Sequence, residues 1–223
     1  MRFRGKTVIL TGAAGGISRA AAKIMGREGA RIAAIDIDVS GLASLAEEID
    51  TEGGEVTTLE IDVMDIEQVH RMRDVVIGRY GGIDVLINVV GGTSVIQNPE
   101  RDTDELNVED WDELIRFNLR GTFLCTNAVI PQMKVQGTGK IINLSSTLGY
   151  GAIDSTNSAY VAAKAGIMSF TKKVAREVGP YGITCNAVAP SLTLTERTED
   201  HFMSMSEEAM RQFLKSYPLR RVA

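Results

Sequence analysis

The sequence predicts a doubly wound α/β fold, in which helices cover both faces of a parallel sheet. Six short apolar runs alternate with segments whose apolar residues recur at helical spacing, which is typical of a parallel sheet with right-handed crossovers. The 223 residues show no linker, repeat or change in composition, so we expect one domain spanning 1–223. In such sheets ligands bind beyond the carboxyl ends of the strands.

The predicted strands are short apolar runs bounded by turn residues, as buried parallel strands usually are. We expect them at 7–11, 31–36, 55–62, 83–90, 141–144 and 182–189. A long helical region should run from about 108 to 136, with a break near 118–121. The polar stretch 93–107 is the longest predicted loop, and long loops in compact domains are usually functional or mobile.

Composition argues against several classes of function. The net charge is -5 and basic residues form no run, which disfavours nucleic acid or an acidic membrane surface as partner. Apolar runs stay well short of the ~20 residues that span a bilayer, and we recognise no signal peptide. Cys125 and Cys185 are expected as reduced core thiols, and no metal site is expected from two histidines. We therefore predict a soluble cytoplasmic protein.

A glycine-rich turn follows the first predicted strand. Gly12 and Gly16 precede a helix that opens with Ile17 and Ser18, and such a turn lets a diphosphate approach the free amides of the helix. Asp36 ends the second predicted strand, where a carboxylate can accept both ribose hydroxyls of an adenosine and would repel a 2′-phosphate. The glycines alone would also suit a turn without a ligand. Together with Asp36, they favour NAD over NADP.

A second group of polar residues follows the fifth predicted strand. Ser145 and Ser146 end that strand, and Tyr160 and Lys164 are four residues apart on the next predicted helix, hence on one face of it. A hydroxyl, a phenol and an ammonium close together suggest proton transfer to or from an oxygen. Taken alone, a tyrosine and a lysine at this spacing are more often an ordinary surface pair.

Taken together, these motifs resemble the short-chain dehydrogenase/reductase family in its shorter, single-domain branch. The resemblance covers essentially the whole chain in the expected order. The matching segments are TGAAGGIS at 11–18, DV at 62–63, LINVVG at 86–91, WDELIRFNLRG at 111–121, INLSS at 142–146, YVAAK at 160–164 and NAVAP at 186–190. Ser18, Val89 and Ser191 depart from the family pattern, and the hydroxyl of Ser18 is expected to lie near the cofactor phosphates and donate to them.

The resemblance implies a Rossmann fold and an NAD-dependent oxidoreductase that transfers a hydride between nicotinamide and a secondary alcohol, diol or ketone. Tyr160 would accept or donate the proton, and Lys164 would stabilise its phenolate and bond the nicotinamide ribose. At about 4 Å and an effective dielectric constant near 20, one ammonium contributes about 4 kcal/mol to that stabilisation. Ser146, rather than Ser145, would hold the substrate oxygen, and Asn118 would anchor a water in a proton relay.

The resemblance also implies the cofactor contacts and a substrate lid. Asp62 and Val63 would contact the adenine, Asn88 would lie beside the ribose, and the segment 191–217 would cover the substrate. In that segment, His201 would at most contact the substrate. The predicted cofactor-binding set is Gly12, Gly16, Ile17, Ser18, Asp36, Asp62, Val63, Asn88, Tyr160, Lys164, Thr193 and Thr195.

Two other functions stay open from the sequence. An NADPH-dependent 3-oxoacyl thioester reductase is disfavoured by Asp36, and a non-catalytic nucleotide-binding family member is opposed by the intact active-site pattern. In family members, the segment that resembles 217–223 is followed by a further helix and a seventh strand. We expect the fold of this chain to lack that helix and that strand. Family members usually pair the helices that correspond to 118–136 and 158–178 across subunits, which implies a homotetramer or homodimer.

Overall fold

The prediction of a doubly wound parallel sheet is confirmed. The computed structural model describes residues 1–151, 156–196, 198–215, 217 and 219–222, apart from the side chains of Asp200 and His201. Within these residues one parallel sheet has the strand order β3-β2-β1-β4-β5-β6. Its strands are β1 (Thr7–Thr11), β2 (Arg31–Asp36), β3 (Glu55–Glu60), β4 (Val85–Asn88), β5 (Gly139–Leu144) and β6 (Ile183–Val188).

Helices connect the strands and cover both faces of the sheet, because each parallel crossover must pass over one face. The α-helices of the described residues are α1 (Gly16–Arg27), α2 (Val39–Thr51), α3 (Ile66–Tyr80), α4 (Val108–Ile115), α5 (Gly121–Gln136), α6 (Ser158–Val178), α7 (Glu199–Met203) and α8 (Glu207–Leu214). Among these residues, none of the helices is both long and apolar enough to cross a bilayer.

Two apolar cores lie on opposite faces of the sheet, since successive side chains of a strand point in opposite directions. Along β1, Ile9 packs into the core beneath α3, α5 and α6, whereas Val8 and Leu10 pack into the core beneath α1 and α2. All five residues of β1 are buried. A central strand that is covered on both faces places the turn after it at a rigid edge of the sheet.

The predicted break near 118–121 in the long helical region is replaced by a π-helical turn. A π-helical turn at Arg116–Arg120 joins α4 to α5, so the chain stays helical through this region. A π-turn places one extra residue in the turn and releases the regular backbone bonding locally. Here Asn118 is completely buried. The turn lies beside the loop that follows β4.

Candidate active site

The helix that carries Tyr160 and Lys164 begins at a well-defined cap. Asn157, which is 1% exposed, accepts a hydrogen bond at Oδ1 from the Tyr160 N–H (2.9 Å), as an N-cap residue does. Its Nδ2 donates to the carbonyl oxygen of Pro99 (2.8 Å), which fastens the 93–107 loop to the start of α6. Sequence reasoning missed Asn157, although an asparagine just before a helical pattern is a recognised start signal.

Lys164 is buried beside Tyr160. The ammonium group lies 5.6 Å from the centroid of the Tyr160 ring, and the residue is 3% exposed. Nζ donates to the carbonyl oxygen of Leu144 at the end of β5 (3.2 Å), while Ser145 Oγ donates to the carbonyl oxygen of Lys164 (2.7 Å). Two hydrogen bonds in opposite directions therefore join α6 to the end of β5. Because Lys164 is buried, it is not a surface lysine.

The two serines after β5 have different environments. Ser145 uses its hydroxyl proton in the bond to the Lys164 carbonyl oxygen. Ser146 Oγ accepts from the Leu148 N–H (3.2 Å), and a hydroxyl that accepts a bond can still donate one. The Thr147 N–H donates to the carbonyl oxygen of Pro190 (3.0 Å), so the segment after β6 holds this turn. The geometry fits Ser146 as the serine that would bind a substrate oxygen.

Asn118 is tied to the main chain of the loop after β4. Its Oδ1 accepts from the Gly92 N–H (2.8 Å), and its Nδ2 donates to the carbonyl oxygens of Gly92 (2.9 Å) and Leu114 (3.0 Å). A Cβ placed on Gly91 would lie 2.7 Å from Asn118 Oδ1 and 2.9 Å from Lys164 Nζ, so these two side chains converge on Gly91. Both N–H groups of the Asn118 amide are thus bonded, which leaves its oxygen atoms as the possible contacts of a relay water.

The glycine-rich turn and Asp36 form a second polar region. Gly12 and Gly16 have φ angles of +66° and +56°, a conformation that glycine adopts without strain. The turn presents the N-terminus of α1, where the N-cap residue Gly15 contributes no side-chain bond, and helix N-terminal amides of this kind suit a diphosphate. The Asp36 carboxylate accepts from the N–H groups of Ala14 (3.0 Å) and Ile37 (2.8 Å). The carboxylate is thereby held next to the turn.

The Ser18 hydroxyl, which was expected near the cofactor phosphates, bonds the protein main chain in this structure. Ser18 is completely buried, and its Oγ donates to the carbonyl oxygen of Thr11 (3.0 Å). The hydroxyl therefore faces the end of β1 rather than the outside of the turn. Thr11 Oγ1 in turn accepts from the Val89 N–H (3.0 Å). Ser18 joins α1 to the central strands, a contact that glycine at this position could not make.

The remaining predicted adenine and ribose contacts differ in accessibility. Asp62 is exposed, and its carboxylate accepts from the Met64 N–H (2.8 Å). Val63 is buried in the apolar core. Asn88 is also buried, and its Nδ2 donates to Thr126 Oγ1 (3.1 Å) and Asn143 Oδ1 (2.9 Å). Any contact between Asn88 and a ribose would therefore involve its main chain.

The segment after β6 reaches the glycine-rich turn. Thr195 lies against Gly16, since a Cβ on that glycine would be 3.4 Å from Thr195 Cγ2. Glu196 accepts a bond at Oε2 from the Gly16 N–H (3.2 Å), an amide of the α1 N-terminus that sequence reasoning did not connect with this residue. Thr193 Oγ1 donates to the carbonyl oxygen of Ser191 (3.3 Å). The predicted contact of His201 involves a side chain outside the described part of the chain.

The two thiols lie in the protein interior. Burial raises the pKa of Cys125 to about 12. Burial likewise raises the pKa of Cys185 to about 11, although a bond from Asn143 acts in the opposite direction. A neutral, buried thiol is a poor nucleophile. Neither cysteine competes with Tyr160 or Ser146 as a candidate reactive group.

Comparisons with known proteins agree on one family. A family model described as short chain dehydrogenase matches residues 6–205. The 3-oxoacyl-[acyl-carrier-protein] reductase of Thermotoga maritima is 38% identical over 99% of this chain and 86% of its own length. The 7alpha-hydroxysteroid dehydrogenase of Bacteroides fragilis is 36% identical over 96% of this chain and 80% of its own length. An NAD+-bound xylitol dehydrogenase structure, 27% identical, superposes with a TM-score of 0.88 over 100% of this chain and 88% of that one.

Proposed function

We propose that this chain, which belongs to the short-chain dehydrogenase/reductase family, transfers a hydride between NAD and a secondary alcohol, diol or ketone. Family membership makes it an oxidoreductase of alcohol and ketone groups that uses a nicotinamide cofactor. The proposal adds the cofactor, the proton carrier and the substrate class. The observation that carries it is the position of the buried Lys164 ammonium, 5.6 Å from the centroid of the Tyr160 ring. Both residues lie on α6, the helix that follows Ser146.

In the proposed mechanism Tyr160 carries the proton. During oxidation its phenolate takes the proton of the substrate hydroxyl, and during reduction the phenol returns it to the carbonyl oxygen. The Lys164 ammonium stabilises the phenolate, and burial strengthens this effect because little water screens the charge. Ser146 donates to the substrate oxygen and so holds it toward Tyr160. A water anchored at Asn118 would resupply protons through Lys164.

The residues present fit a dinucleotide. The N-terminus of α1 suits the diphosphate, the carboxylate of Asp36 suits the adenosine ribose, and Lys164 suits the nicotinamide ribose. The remaining predicted contacts are Gly12, Gly16, Ile17, Ser18, Asp62, Val63, Asn88, Tyr160, Thr193 and Thr195. When bound, the nicotinamide ring accepts or supplies the hydride. The protein contributes binding, orientation and proton transfer.

Asp36 supports NAD rather than NADP as the cofactor. Its carboxylate is fixed by the N–H groups of Ala14, Ile37 and Asp38 (3.0, 2.8 and 3.1 Å) and can accept from ribose hydroxyls. A 2′-phosphate at the same place would meet this negative charge. The NAD+-bound xylitol dehydrogenase agrees with this assignment. The resemblance to a 3-oxoacyl-[acyl-carrier-protein] reductase favours the second candidate, an NADPH-dependent reductase of 3-oxoacyl thioesters.

The decisive experiment compares Tyr160→Phe with the wild-type protein. We expect formation of NADH from a panel of secondary alcohols and diols to fall at least ~100-fold, because proton transfer contributes roughly 10²–10⁴-fold to such reactions. Affinity for NAD, measured by titration calorimetry, should change little. Tyr181→Phe, just beyond the far end of α6, is the matched control and should retain activity.

Three outcomes would contradict parts of the proposal. Unchanged NADH formation by Tyr160→Phe would refute the mechanism, and binding of the dinucleotide without turnover of any substrate would favour the non-catalytic alternative. Tighter binding of NADPH than NADH, with reduction of a 3-oxoacyl thioester, would favour the second candidate.

We further propose that 191–217 forms a lid over the substrate. In its described part, Phe202 of α7 is 8% exposed and lies edge-on to Phe213 of α8, with 6.2 Å between ring centroids. Phe213 also contacts Tyr217 (5.3 Å). These rings connect the two short helices, so the lid would move as a unit. An apolar lid suits the exclusion of water during hydride transfer.

A second copy of the chain is the partner proposed for the α5 and α6 face. A cavity of about 540 Å³ on this face is lined in part by Leu119, Phe123 and Phe170. Phe123 is 47% exposed although it packs edge-on against Phe170 (6.2 Å). Pairing of this face would produce the homotetramer or homodimer expected from the family. Phe123→Glu should dissociate the oligomer in light scattering, whereas Val135→Glu, also exposed on α5, should not.

A cytoplasmic location stays a prediction. It is supported by the two buried free cysteines, Cys125 and Cys185, since reduced thiols are usual in that compartment. Fractionation of the native host would test it. Recovery in the membrane or outside the cell would contradict it.

A further inference from the structure

An arginine fastens the glycine-rich turn to helix α2. Arg19 Nη1 donates to the carbonyl oxygens of Ala14 (2.9 Å) and Gly41 (3.1 Å), and its Nη2 donates to Ser44 Oγ (2.8 Å). Nη2 also donates to Glu48 Oε1 (2.5 Å). The side chain is 16% exposed. A guanidinium with this many partners is held in one orientation.

This arginine lies close to Asp36, at the proposed ribose site, and its charge also acts on Asp38. Ala14 donates its N–H to Asp36 Oδ2 (3.0 Å) and accepts from Arg19 at its carbonyl oxygen, so a single residue separates the cation from Asp36. Bonds from the Gly41 N–H and the Ser40 hydroxyl hold the pKa of Asp38 below its usual value, and the charge of Arg19 acts in the same direction. Its field therefore reaches the region of the ribose hydroxyls.

Glu48 balances the positive charge of Arg19. It also pairs with Lys23 (2.6 Å), which lies one turn further along α1. Bonds from Lys23 and Arg19 lower the pKa of Glu48, so its carboxylate is ionised at neutral pH. Without this carboxylate, Arg19 and Lys23 would lose the ion-pair partner that they share. Arginine is the side chain best suited to bind a phosphate.

We propose that Glu48 is a specificity-determining residue, because its ion pair with Arg19 withholds from a 2′-phosphate an arginine that shares Ala14 with Asp36. The inference rests on the proposed NAD preference and adds a second determinant to Asp36. Asp36 repels the extra phosphate, and Glu48 prevents Arg19 from attracting it. Glu48 acts only against NADP, whereas Asp36 also accepts from the ribose hydroxyls of NAD.

The test measures direct binding, so that it does not depend on turnover. Dissociation constants for NAD and NADP are determined by titration calorimetry for wild-type protein and Glu48→Gln. The amide can still accept from Arg19 but carries no charge. We expect the ratio of the NADP to the NAD dissociation constant to fall about three- to tenfold, the effect of one unit charge at a partly exposed site.

Glu52→Gln is the matched control. Glu52 pairs with Arg27 between the same two helices, and its loss changes the net charge equally, but Arg27 lies in the last turn of α1. This variant should lose a comparable amount of thermal stability and keep the wild-type ratio. In the double variant Arg19→Gln with Glu48→Gln, the ratio should return to the wild-type value or exceed it.

Three results would overturn the inference: an unchanged ratio in Glu48→Gln, an equal change in Glu52→Gln, or a lowered ratio that persists when Arg19 is also replaced. Each can occur while wild-type protein still prefers NAD, which leaves the proposed function intact. Failure of wild-type protein to bind either dinucleotide would overturn both proposals.

Discussion

Gly91 offers a sharp test of how the candidate active site is held together. Its φ angle is +155°, and an added Cβ would lie 2.9 Å from Lys164 Nζ and 2.7 Å from Asn118 Oδ1. Both distances are shorter than an ordinary carbon contact. In Gly91→Ala the Lys164 ammonium must therefore shift, by roughly 1 Å to reach an ordinary separation.

The shift of the ammonium should reduce turnover. Moving it from about 4 to about 5 Å from the phenolate oxygen weakens their attraction by about 0.8 kcal/mol at an effective dielectric constant near 20, or about fourfold. Misalignment of reacting groups by about 1 Å can cost up to about 100-fold. We therefore expect kcat to fall between about four- and 100-fold. Backbone strain should also lower the free energy of unfolding by about 1–3 kcal/mol.

Gly81→Ala separates strain from contact with the site. Gly81 has a φ angle of +80° at the end of α3, and an added Cβ would have no atom within 4 Å among the described residues. It should lose about 1–2 kcal/mol of stability with kcat unchanged. The assays are steady-state NADH formation and urea denaturation for both variants. A kcat for Gly91→Ala within twofold of wild type would refute this account of the site.

Three further predictions follow from individual contacts. Ser18→Ala removes the bond to the buried carbonyl oxygen of Thr11, and the free energy of unfolding in urea should fall by about 1–2 kcal/mol with NAD affinity retained; unchanged stability would contradict this. Glu196→Gln removes a carboxylate from the Gly16 N–H, where a diphosphate would bind, so NAD should bind about threefold more tightly in calorimetry. Equal or weaker binding would show that this carboxylate does not compete with the diphosphate. The raised pKa of Cys125, about 12 against 9.0, means that the unfolded thiol ionises first, so stability is lost as pH rises from 9 toward 12. Between pH 8 and 10 wild-type protein should lose about 1.4 kcal/mol more than Cys125→Ala in urea denaturation, and equal losses would contradict a buried neutral thiol.

Strand positions were predictable, but strand ends were less so. The predicted run 83–90 has the structure of a strand only over Val85–Asn88, and the run 55–62 only over Glu55–Glu60. Apolar patterning reports burial, which continues past the point where neighbouring strands stop exchanging hydrogen bonds. The bonding partners are distant in sequence, as for Val85 with Val8. Local patterning therefore could not set the ends.

The sequence by itself determined the fold class, the order of its elements and the residue types near the site, because periodicity and motif spacing are local properties of the chain. Tertiary structure alone decided where three important side chains point. Ser18 turns inward to Thr11, Asn118 bonds the backbone of Gly92, and Arg19 pairs with Glu48 of another helix. Each contact joins residues that are between 7 and 29 positions apart. Such contacts depend on how the elements pack, and no local pattern records that packing.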